Sequence, residues 1–507
     1  MKIREFADAV MKQQNEKSRM SSRNIKLIEK ISGNFHREAR IKPVKPKIND
    51  DALVIETGHQ PLFLPFSGIW RKAYLADHLR RLADGRRDSV ISVFGFMDHD
   101  TSSSKLLYQN KVPKMNKAGH RNIGLKRPEN SDIWKRFNAM EKPEPDVWEK
   151  VIDELLEIYS DNKNVYPIAE ELWKSYELSE NLADVNAIFF ARICHAMGIE
   201  TMFFRCSDVQ NEMIFLEVWE TICRNLDRFV ESHNKAIEML YFEDLERMKS
   251  NDLPFWYHCT CGGKAQLSNA GTYVGKCRCC GEMYEFECVE DILKEFKHLS
   301  PKAIMRNIIF YEGLRTDIFV SGSGGSLRYG RISNIVSREF DFSIPLTLYW
   351  VGNDIYTGHA HVQALKSLKN EFKIEESQFF EREEILEKIR EKRMTLYENV
   401  KNSMDNEKKA KKFLNQYKQT HNVVKAVSNI FLINPSLVDV VANCGIDSIK
   451  KVWEKSLEDS EITAMNDGEF YGITRDIIYE TEEELRLYQI LQNLENESLG
   501  IDPLGIL

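Results

Sequence analysis

The chain has 507 residues, with 70 lysines and arginines against 78 aspartates and glutamates, so its formal net charge is −8. Hydrophobic residues make up 42% and charged residues 29%, which is typical of a globular protein large enough for two or three domains. The mild acidity argues against a general nucleic-acid coat. The sequence has no apolar run near the roughly 20 residues of a membrane helix and no apolar region of a secretory signal. We therefore expect a cytoplasmic protein without a membrane partner.

The first helical pattern of the chain lies in the lead-in, residues 1–50. Ser21 or Ser22 is expected to cap a helix that carries Ile25 and Ile28 on one face.

The segment 54–105 predicts a strand–loop–helix–strand unit. Two apolar runs, 52–55 and 90–97, each end in polar residues, and a helical pattern starts near Gly68 between them. In open parallel sheets, ligands bind outside the carboxyl ends of the strands. The polar residues expected at that edge are His59, Gln60, Asp98, His99 and Asp100.

Later segments repeat the alternation of helix and strand and predict an α/β core with a mainly parallel sheet. Strands are expected at 201–206, 317–320 and 344–351, with a helix at 300–314. The charged stretch 375–419 predicts one or two long surface helices, with an antiparallel hairpin as one arrangement.

Five of the ten cysteines fall between Cys259 and Cys280, which is the clustering of a metal site rather than of disulfides. Cys261, Cys277 and Cys280 are predicted thiolate ligands of Zn²⁺, in tight turns closed by glycine. The fourth ligand is either Cys259 or His258, and the all-thiolate set is favoured. Four protein ligands close the coordination sphere, so we expect a structural zinc that holds together a small insertion.

The segment TGHQ (57–60) precedes a helix whose N-terminus offers free N–H groups and positive potential to an anion. Lys72, one turn into that helix, could reach the same ligand. His59 could donate to a phosphate or act as a general acid; in the alternative it only caps and packs the turn.

Asp98, His99 and Asp100 place two carboxylates and an imidazole within three residues. This set suits proton transfer or a divalent cation such as Mg²⁺. A turn with a helix-capping aspartate is the alternative.

The segment SGSGGS (321–326) lies before a predicted helix and is a candidate phosphate loop. It lacks the GxxxxGK[ST] pattern, so the signal is weak, and the nearby Arg328 adds modest support for an anion.

The segment TGHQPLFLPFSGIWRKA resembles the TGQQ…G…K motif of the BshC family, the cysteine-adding enzymes of bacillithiol biosynthesis. The matching residues are Thr57, Gly58, Gln60, Gly68 and Lys72. The DHD at 98–100 falls on the EDHD-type segment of the family, and LSPKAIMRNIIFYEGL resembles its Ser-Pro…Arg helix. The matches there are Ser300, Pro301 and Arg306. The glycine loop followed by Tyr329 resembles the Gly-rich turn of the family, and the order of these segments agrees over 30–350.

The resemblance implies a Rossmann-like core and a ligase that joins an amino acid, such as cysteine, to an amine-bearing small molecule. Together with the cysteine cluster, it predicts a core in two parts, a zinc ribbon inserted between them and a C-terminal helical, coiled-coil-like region. The first part of the core, with helical insertions, is expected at 1–250 and the second part at 291–372. The zinc ribbon is expected at 251–290 and the C-terminal region at 373–507.

The resemblance also implies that ATP, ADP or another nucleotide binds where the matching loops converge, with Mg²⁺ as a candidate cofactor. The catalytic candidates are His59, Asp98, His99 and Asp100. The candidates for substrate or nucleotide binding are Thr57, Gly58, Gln60, Gly68, Lys72, Arg306, Gly322, Gly324, Gly325 and Tyr329. The metal candidates are Cys259, Cys261, Cys277 and Cys280.

Two other functions stay open. His59 stands where the family motif has glutamine, which brings the loop nearer to histidine-containing nucleotidyl-transfer loops and favours a nucleotidyltransferase. The zinc ribbon, which is not typical of the family, could instead bind nucleic acid or a protein partner through Lys264, Lys276 and Arg278. A homodimer is also compatible with the sequence.

Overall fold

The computed structural model describes residues 1–12, 19–49, 51–84, 89–322, 325–465, 468–479, 482–492 and 494. The strands in this part are β1 (Leu53–His59), β2 (Val90–Phe96), β3 (Gln109–Pro113), β4 (His120–Gly124), β5 (Met202–Arg205), β6 (Phe255–His258), β7 (Lys264–Asn269), β8 (Tyr273–Cys277), β9 (Met283–Phe286), β10 (Leu299–Pro301), β11 (Ile318–Ser321), β12 (Leu346–Val351), β13 (Asp354–Ile355), β14 (Thr463–Ala464), β15 (Phe470–Thr474) and β16 (Ile477–Ile478). The helices are α1 (Ile3–Lys12), α2 (Arg19–Glu38), α3 (Ser67–Ala83), α4 (Pro145–Ile158), α5 (Val165–Leu178), α6 (Leu182–Ala196), α7 (Cys206–Asn211), α8 (Leu216–Cys223), α9 (Leu226–Met239), α10 (Val289–Lys294), α11 (Ala303–Leu314), α12 (Gly325–Glu339), α13 (His359–Phe372), α14 (Arg382–Lys401), α15 (Glu407–Leu432), α16 (Leu437–Cys444), α17 (Ile446–Asp459) and α18 (Glu482–Gln492).

The core is a seven-stranded sheet in the order β14-β15-β12-β11-β1-β2-β5. All neighbouring pairs are parallel except β14 with β15. The order reverses at β1, because β2 and β5 follow on one side and β11, β12 and β15 on the other. The predicted α/β fold with a mainly parallel sheet is therefore confirmed.

The pairing register brings the functional segments to one edge. β1 pairs with β2 along its whole length, from Leu53↔Val90 to His59↔Phe96, so the TGHQ and DHD segments leave the sheet side by side. On the other side of β1, Ile55 pairs with Ile318 of β11. The SGSGGS segment that follows β11 therefore begins beside the same end of β1.

Both faces of β1 are buried, as expected for a central parallel strand. Successive side chains point to opposite faces, so Ile55 joins one hydrophobic cluster and Val54 the other. The first cluster contains Trp70 of α3, stacked on Phe190 of α6 with ring centroids 4.3 Å apart. The second contains Ile308 of α11. Helices thus cover the sheet on both sides.

The region with the predicted metal ligands is a five-stranded sheet in the order β10-β6-β7-β8-β9 with antiparallel pairing. The expected hairpin between the two cysteine turns is β7–β8. The region 251–290 was predicted as a separate unit, but its sheet continues into β10, where Ser300 pairs with Trp256. The expected helix at 300–314 is therefore wrong at its start, since 299–301 are a strand and the helix begins at Ala303.

Two further expectations need correction. Ser21 and Ser22 lie inside α2 rather than capping it, because that helix already begins at Arg19. The region 373–507 is not purely helical, since it contributes the edge strands β14 and β15 to the core sheet.

Helices α14 and α15 form an antiparallel hairpin around a shared apolar core. Ile385 and Ile389 of α14 belong to the same buried cluster as Val427 and Ile430 of α15. No helix in the described part of the chain is both long enough and apolar enough to cross a membrane.

Candidate functional site

Three segments that are distant in sequence meet at the carboxyl end of β1 and β2. The Asp100 carboxylate accepts one hydrogen bond from Gln60 Nε2 and one from Arg306 Nη1, both at 2.9 Å. Gln60 follows β1, Asp100 follows β2, and Arg306 lies on α11 with its side chain only 13% exposed. The TGHQ segment, the DHD segment and the Ser-Pro…Arg helix therefore converge, as the sequence predicted.

Asp100 is held as a carboxylate. Burial alone would raise its pKa, but the positive charges of Arg306 and Lys264 more than offset burial and hold the pKa well below its ordinary value. Asp100 therefore cannot act as a proton donor near neutral pH. It can hold Arg306 in place or help to bind a cation.

His99 is a buried imidazole, 2% exposed. Neither of its ring nitrogens has a hydrogen-bond partner among the described residues. Burial, reinforced by the charge of Lys264, holds its pKa well below the ordinary value. The ring is therefore neutral, with one nitrogen able to donate a proton and the other able to accept one.

His59 is also neutral. Burial and the charge of Lys72 lower its pKa to about 3. Its Nδ1 lies 3.0 Å from the carbonyl oxygen of Gln60, which can only accept, so Nδ1 carries the proton and Nε2 carries the lone pair. A neutral ring of this tautomer is a hydrogen-bond acceptor at Nε2, so neither predicted role of His59, general acid or donor to a phosphate, is favoured at that nitrogen.

Lys72 reaches from α3 to the end of β1. Its Nζ donates to the carbonyl oxygen of Gly58 at 2.7 Å, and burial lowers its pKa to about 7. The predicted proximity of Lys72 to the TGHQ segment is thus confirmed. Because this pKa lies near neutral pH, an anion that binds beside Lys72 would change the charge of its amine.

Asp98 serves the scaffold. Its carboxylate accepts hydrogen bonds from the backbone N–H and the hydroxyl of Ser207 and from Asn138 Nδ2. These bonds tie the start of α7 to the end of β2. The helix-capping alternative therefore describes Asp98 better than the predicted catalytic role.

Thr57 and Gly58 fix the geometry of the strand end. The hydroxyl of Thr57 donates to the carbonyl oxygen of Val320 at 2.8 Å, which joins β1 to β11. A Cβ on Gly58 would lie 2.6 Å from the carbonyl oxygen of Gly95, closer than real Cβ atoms come. Gly68, in the first turn of α3, has no such constraint, since a Cβ there would meet Arg71 only at 3.6 Å.

The glycine loop begins at the neighbouring strand end. Gly322 follows β11, Gly325 begins α12, and Gly324 lies outside the described residues. Tyr329, one turn into α12, lies close enough to Arg306 to act on its pKa. Burial lowers the pKa of the Arg306 guanidinium, but Asp100 and, more weakly, Tyr329 outweigh burial and raise this pKa above its ordinary value.

Arg328 points away from this edge. Its guanidinium forms an ion pair with Asp244, and its side chain lies over the ring of Phe242. The modest support that Arg328 gave to an anion at the glycine loop is therefore lost.

The ribbon brings its predicted metal ligands together. The sulfur atoms of Cys259, Cys261, Cys277 and Cys280 all lie within 4.8 Å of one another, so they could hold a metal ion such as zinc. Backbone N–H groups also point at the sulfurs, for example that of Gly263 at Cys261 Sγ, 3.4 Å away. These contacts would stabilise thiolates and complete a closed, structural site.

His258 is not among these ligands. Its Nδ1 accepts from Arg136 Nη1 at 3.3 Å, so the proton is on Nε2, which donates to the hydroxyl of Ser300 at 2.8 Å. The open choice between His258 and Cys259 is therefore resolved in favour of the cysteine.

The ribbon also reaches the site, a contact that the sequence does not indicate. Lys264, at the start of β7, is 2% exposed and near enough to act electrostatically on both Asp100 and His99. Burial lowers its pKa to about 7. The rings of His258 and His99 lie with their centroids 6.3 Å apart. Lys264 is therefore a buried residue of the site and not part of the positive surface expected for nucleic-acid binding.

Two more buried groups lie beneath the site. Burial raises the pKa of Glu56 in β1 to about 8, and its carboxyl accepts from the hydroxyl of Thr316 at 2.7 Å. Burial raises the pKa of the Cys206 thiol well above its ordinary value, although nearby Arg306 opposes this. A glutamate inside an apolar strand was the signal that could have identified Glu56.

Comparison of the chain with protein-family models and with curated proteins gives no match.

Proposed function

We propose that the chain is a BshC-like carbon–nitrogen ligase that joins an amino acid, with cysteine as the candidate, to an amine-bearing small molecule. The observation that carries this proposal is the Gln60–Asp100–Arg306 connection. It unites the three segments of the resemblance at the edge of the sheet where α/β enzymes bind ligands.

The strand order supports a Rossmann-like assignment. Numbered along the chain, the six parallel strands lie in the order 6-5-4-1-2-3, which is the order of dinucleotide-binding folds. The order reverses between β1 and β11, beside the TGHQ and glycine segments. Such a reversal point favours a nucleotide or phosphate ligand. We also infer coiled-coil packing of α14 on α15 and, from the free cysteines, a cytoplasmic location.

The proposed role of each residue follows from its charge. Arg306 and Lys72 stabilise negative charge on an activated carboxyl group, and Asp100 holds Arg306 or helps to bind Mg²⁺. His99, being neutral, accepts the proton that the attacking amine loses. The four ribbon thiolates hold zinc, which closes the ribbon and takes no part in the reaction.

A binding screen tests the proposal first. We expect ATP or ADP with Mg²⁺, and the substrate amino acid, to raise the melting temperature, because ligands that bind only the folded state stabilise it. Arg306→Met should abolish the nucleotide shift, whereas Arg328→Met, which removes the surface contacts with Asp244 and Phe242, should retain it. Equal shifts in both variants would exclude Arg306 from the site.

A turnover assay then separates the candidate reactions. His99→Ala should lower the rate at least 100-fold, the scale of general-base catalysis, without changing the melting temperature by more than a few degrees. A wild-type rate in this variant would remove the base from the scheme. Release of pyrophosphate with formation of a nucleotidylated product would select the nucleotidyltransferase instead.

A further inference from the structure

We propose that the metal ribbon forms one wall of the candidate active site, where Lys264 and His99 together bind an oxyanion, the phosphoryl or carboxylate group of a substrate. The identity of that group as a substrate part rests on the proposed function. The binding of the anion itself does not.

The first observation is the isolated imidazole of His99. Buried polar groups nearly always have hydrogen-bond partners, and an unmet one costs about 1–3 kcal/mol. Both nitrogens of this ring lack a partner in the described part of the chain, although the side chain is only 2% exposed. An anionic oxygen beside the ring would accept the N–H that nothing else accepts.

The second observation is the balance of charge around the ring. The charged groups that act on His99 include Lys264, Arg306, Arg136 and Asp100. Asp100 is committed to Arg306 through their 2.9 Å ion pair. Asp98 also acts on Lys264 and Arg136, so three cationic side chains stand against two carboxylates and leave a positive excess beside an unpartnered donor. A donor in such surroundings is the chemistry that recognises an oxyanion.

The third observation is how the ribbon positions Lys264. This residue follows the turn Cys261-Gly262-Gly263, and a Cβ on Gly263 would lie 2.7 Å from Cys277 Sγ. Only glycine fits there while the cysteines converge. The turn that carries metal ligands therefore sets where the next residue, Lys264, enters the site.

The ribbon is also fastened to the helix that carries Arg306. His258 of β6 donates to Ser300 of β10, and α11 begins three residues later. Lys264 is the direct neighbour of His258 in the β6–β7 ladder. Closure of the ribbon by a metal would thus organise two cationic side chains of the site, Lys264 and Arg306.

Isothermal titration of the full-length, metal-loaded protein with inorganic phosphate and with acetate tests the inference. We expect at least one anion to bind, and to bind at least tenfold more weakly to Lys264→Met. The matched control is Lys276→Met, which removes an exposed lysine of the same ribbon and should bind like the wild type. Tighter binding of phosphate indicates a phosphoryl group, and tighter binding of acetate a carboxylate.

Equal affinity in Lys264→Met and the wild type, or no binding of either anion to the wild type, would overturn the inference. A second measurement needs no variant to fold: the ring ¹⁵N signals of His99 in the wild type should shift as the anion is added, and unchanged signals would count against the site. No nucleotide or amine is present in either assay. The anion site can therefore be correct even if the ligase proposal is wrong. If the anion site is wrong, nucleotide binding is still tested by its own assay.

Discussion

Replacing Glu56 with glutamine should remove a pH dependence of stability that originates in the central strand. Burial raises the pKa of this carboxyl to about 8, against 4.5 for an ordinary glutamate. Between these values the folded chain holds a proton that the unfolded chain has lost. Stability therefore falls as the pH rises through this window, by about 1.4 kcal/mol per pH unit. From pH 5 to pH 7 the loss amounts to about 3 kcal/mol.

Equilibrium urea unfolding at pH 5 and pH 7 measures this loss. The wild type should lose about 3 kcal/mol more between the two pH values than Glu56→Gln, whose amide oxygen can still accept from Thr316. Glu177→Gln, which neutralises an exposed glutamate, should keep the pH dependence of the wild type. If Glu56→Gln and Glu177→Gln lose stability in parallel, Glu56 is ionised in the folded chain and the reasoning from burial is refuted.

Two further predictions concern the ribbon and the end of β1. Cys280→Ser should lower the bound zinc, measured by elemental analysis, to well below one ion per chain. Cys279→Ser changes a cysteine outside the four-sulfur set and should keep one ion. Equal metal content in the two variants would mean that the ligands are assigned wrongly. Gly58→Ala should destabilise the protein by about 1–3 kcal/mol in urea unfolding, because its Cβ would collide with a backbone carbonyl. Gly33→Ala, inside α2, where a Cβ would meet only the Arg37 side chain at 3.7 Å, should stabilise it by about 0.5–1 kcal/mol. A neutral Gly58→Ala would mean that the strands can move apart.

The parts of the site that the sequence predicted are those encoded locally. The four cysteines that could hold a metal form two short clusters, so spacing alone identified them. The ends of β1 and β2 follow from apolar runs that stop at polar residues. Since parallel neighbours share an edge, the meeting of Gln60 and Asp100 also followed from this pattern.

The parts of the site that the sequence did not predict depend on contacts between distant segments. Asp98 looked catalytic because its capping partner, Ser207, lies 109 residues away. Lys264 looked like a surface charge because lysine is rarely buried, and only the docking of the ribbon encloses it. The sequence predicts that Ser300 starts a helix, yet pairing with β6 holds it in a strand.

The position of β15 has a consequence for how the chain folds during synthesis. Strand β12 gains its second neighbour only when residues 470–474 have been made, and the backbone of Met1 pairs with that of Ile462, 461 residues later. At a synthesis rate of about 5–20 residues per second, tens of seconds pass before the partners of the first residues leave the ribosome. Throughout that time one edge of a parallel sheet is open to other strands. We therefore expect chains that stop before residue 470 to aggregate, and chaperones to bind nascent chains up to that length.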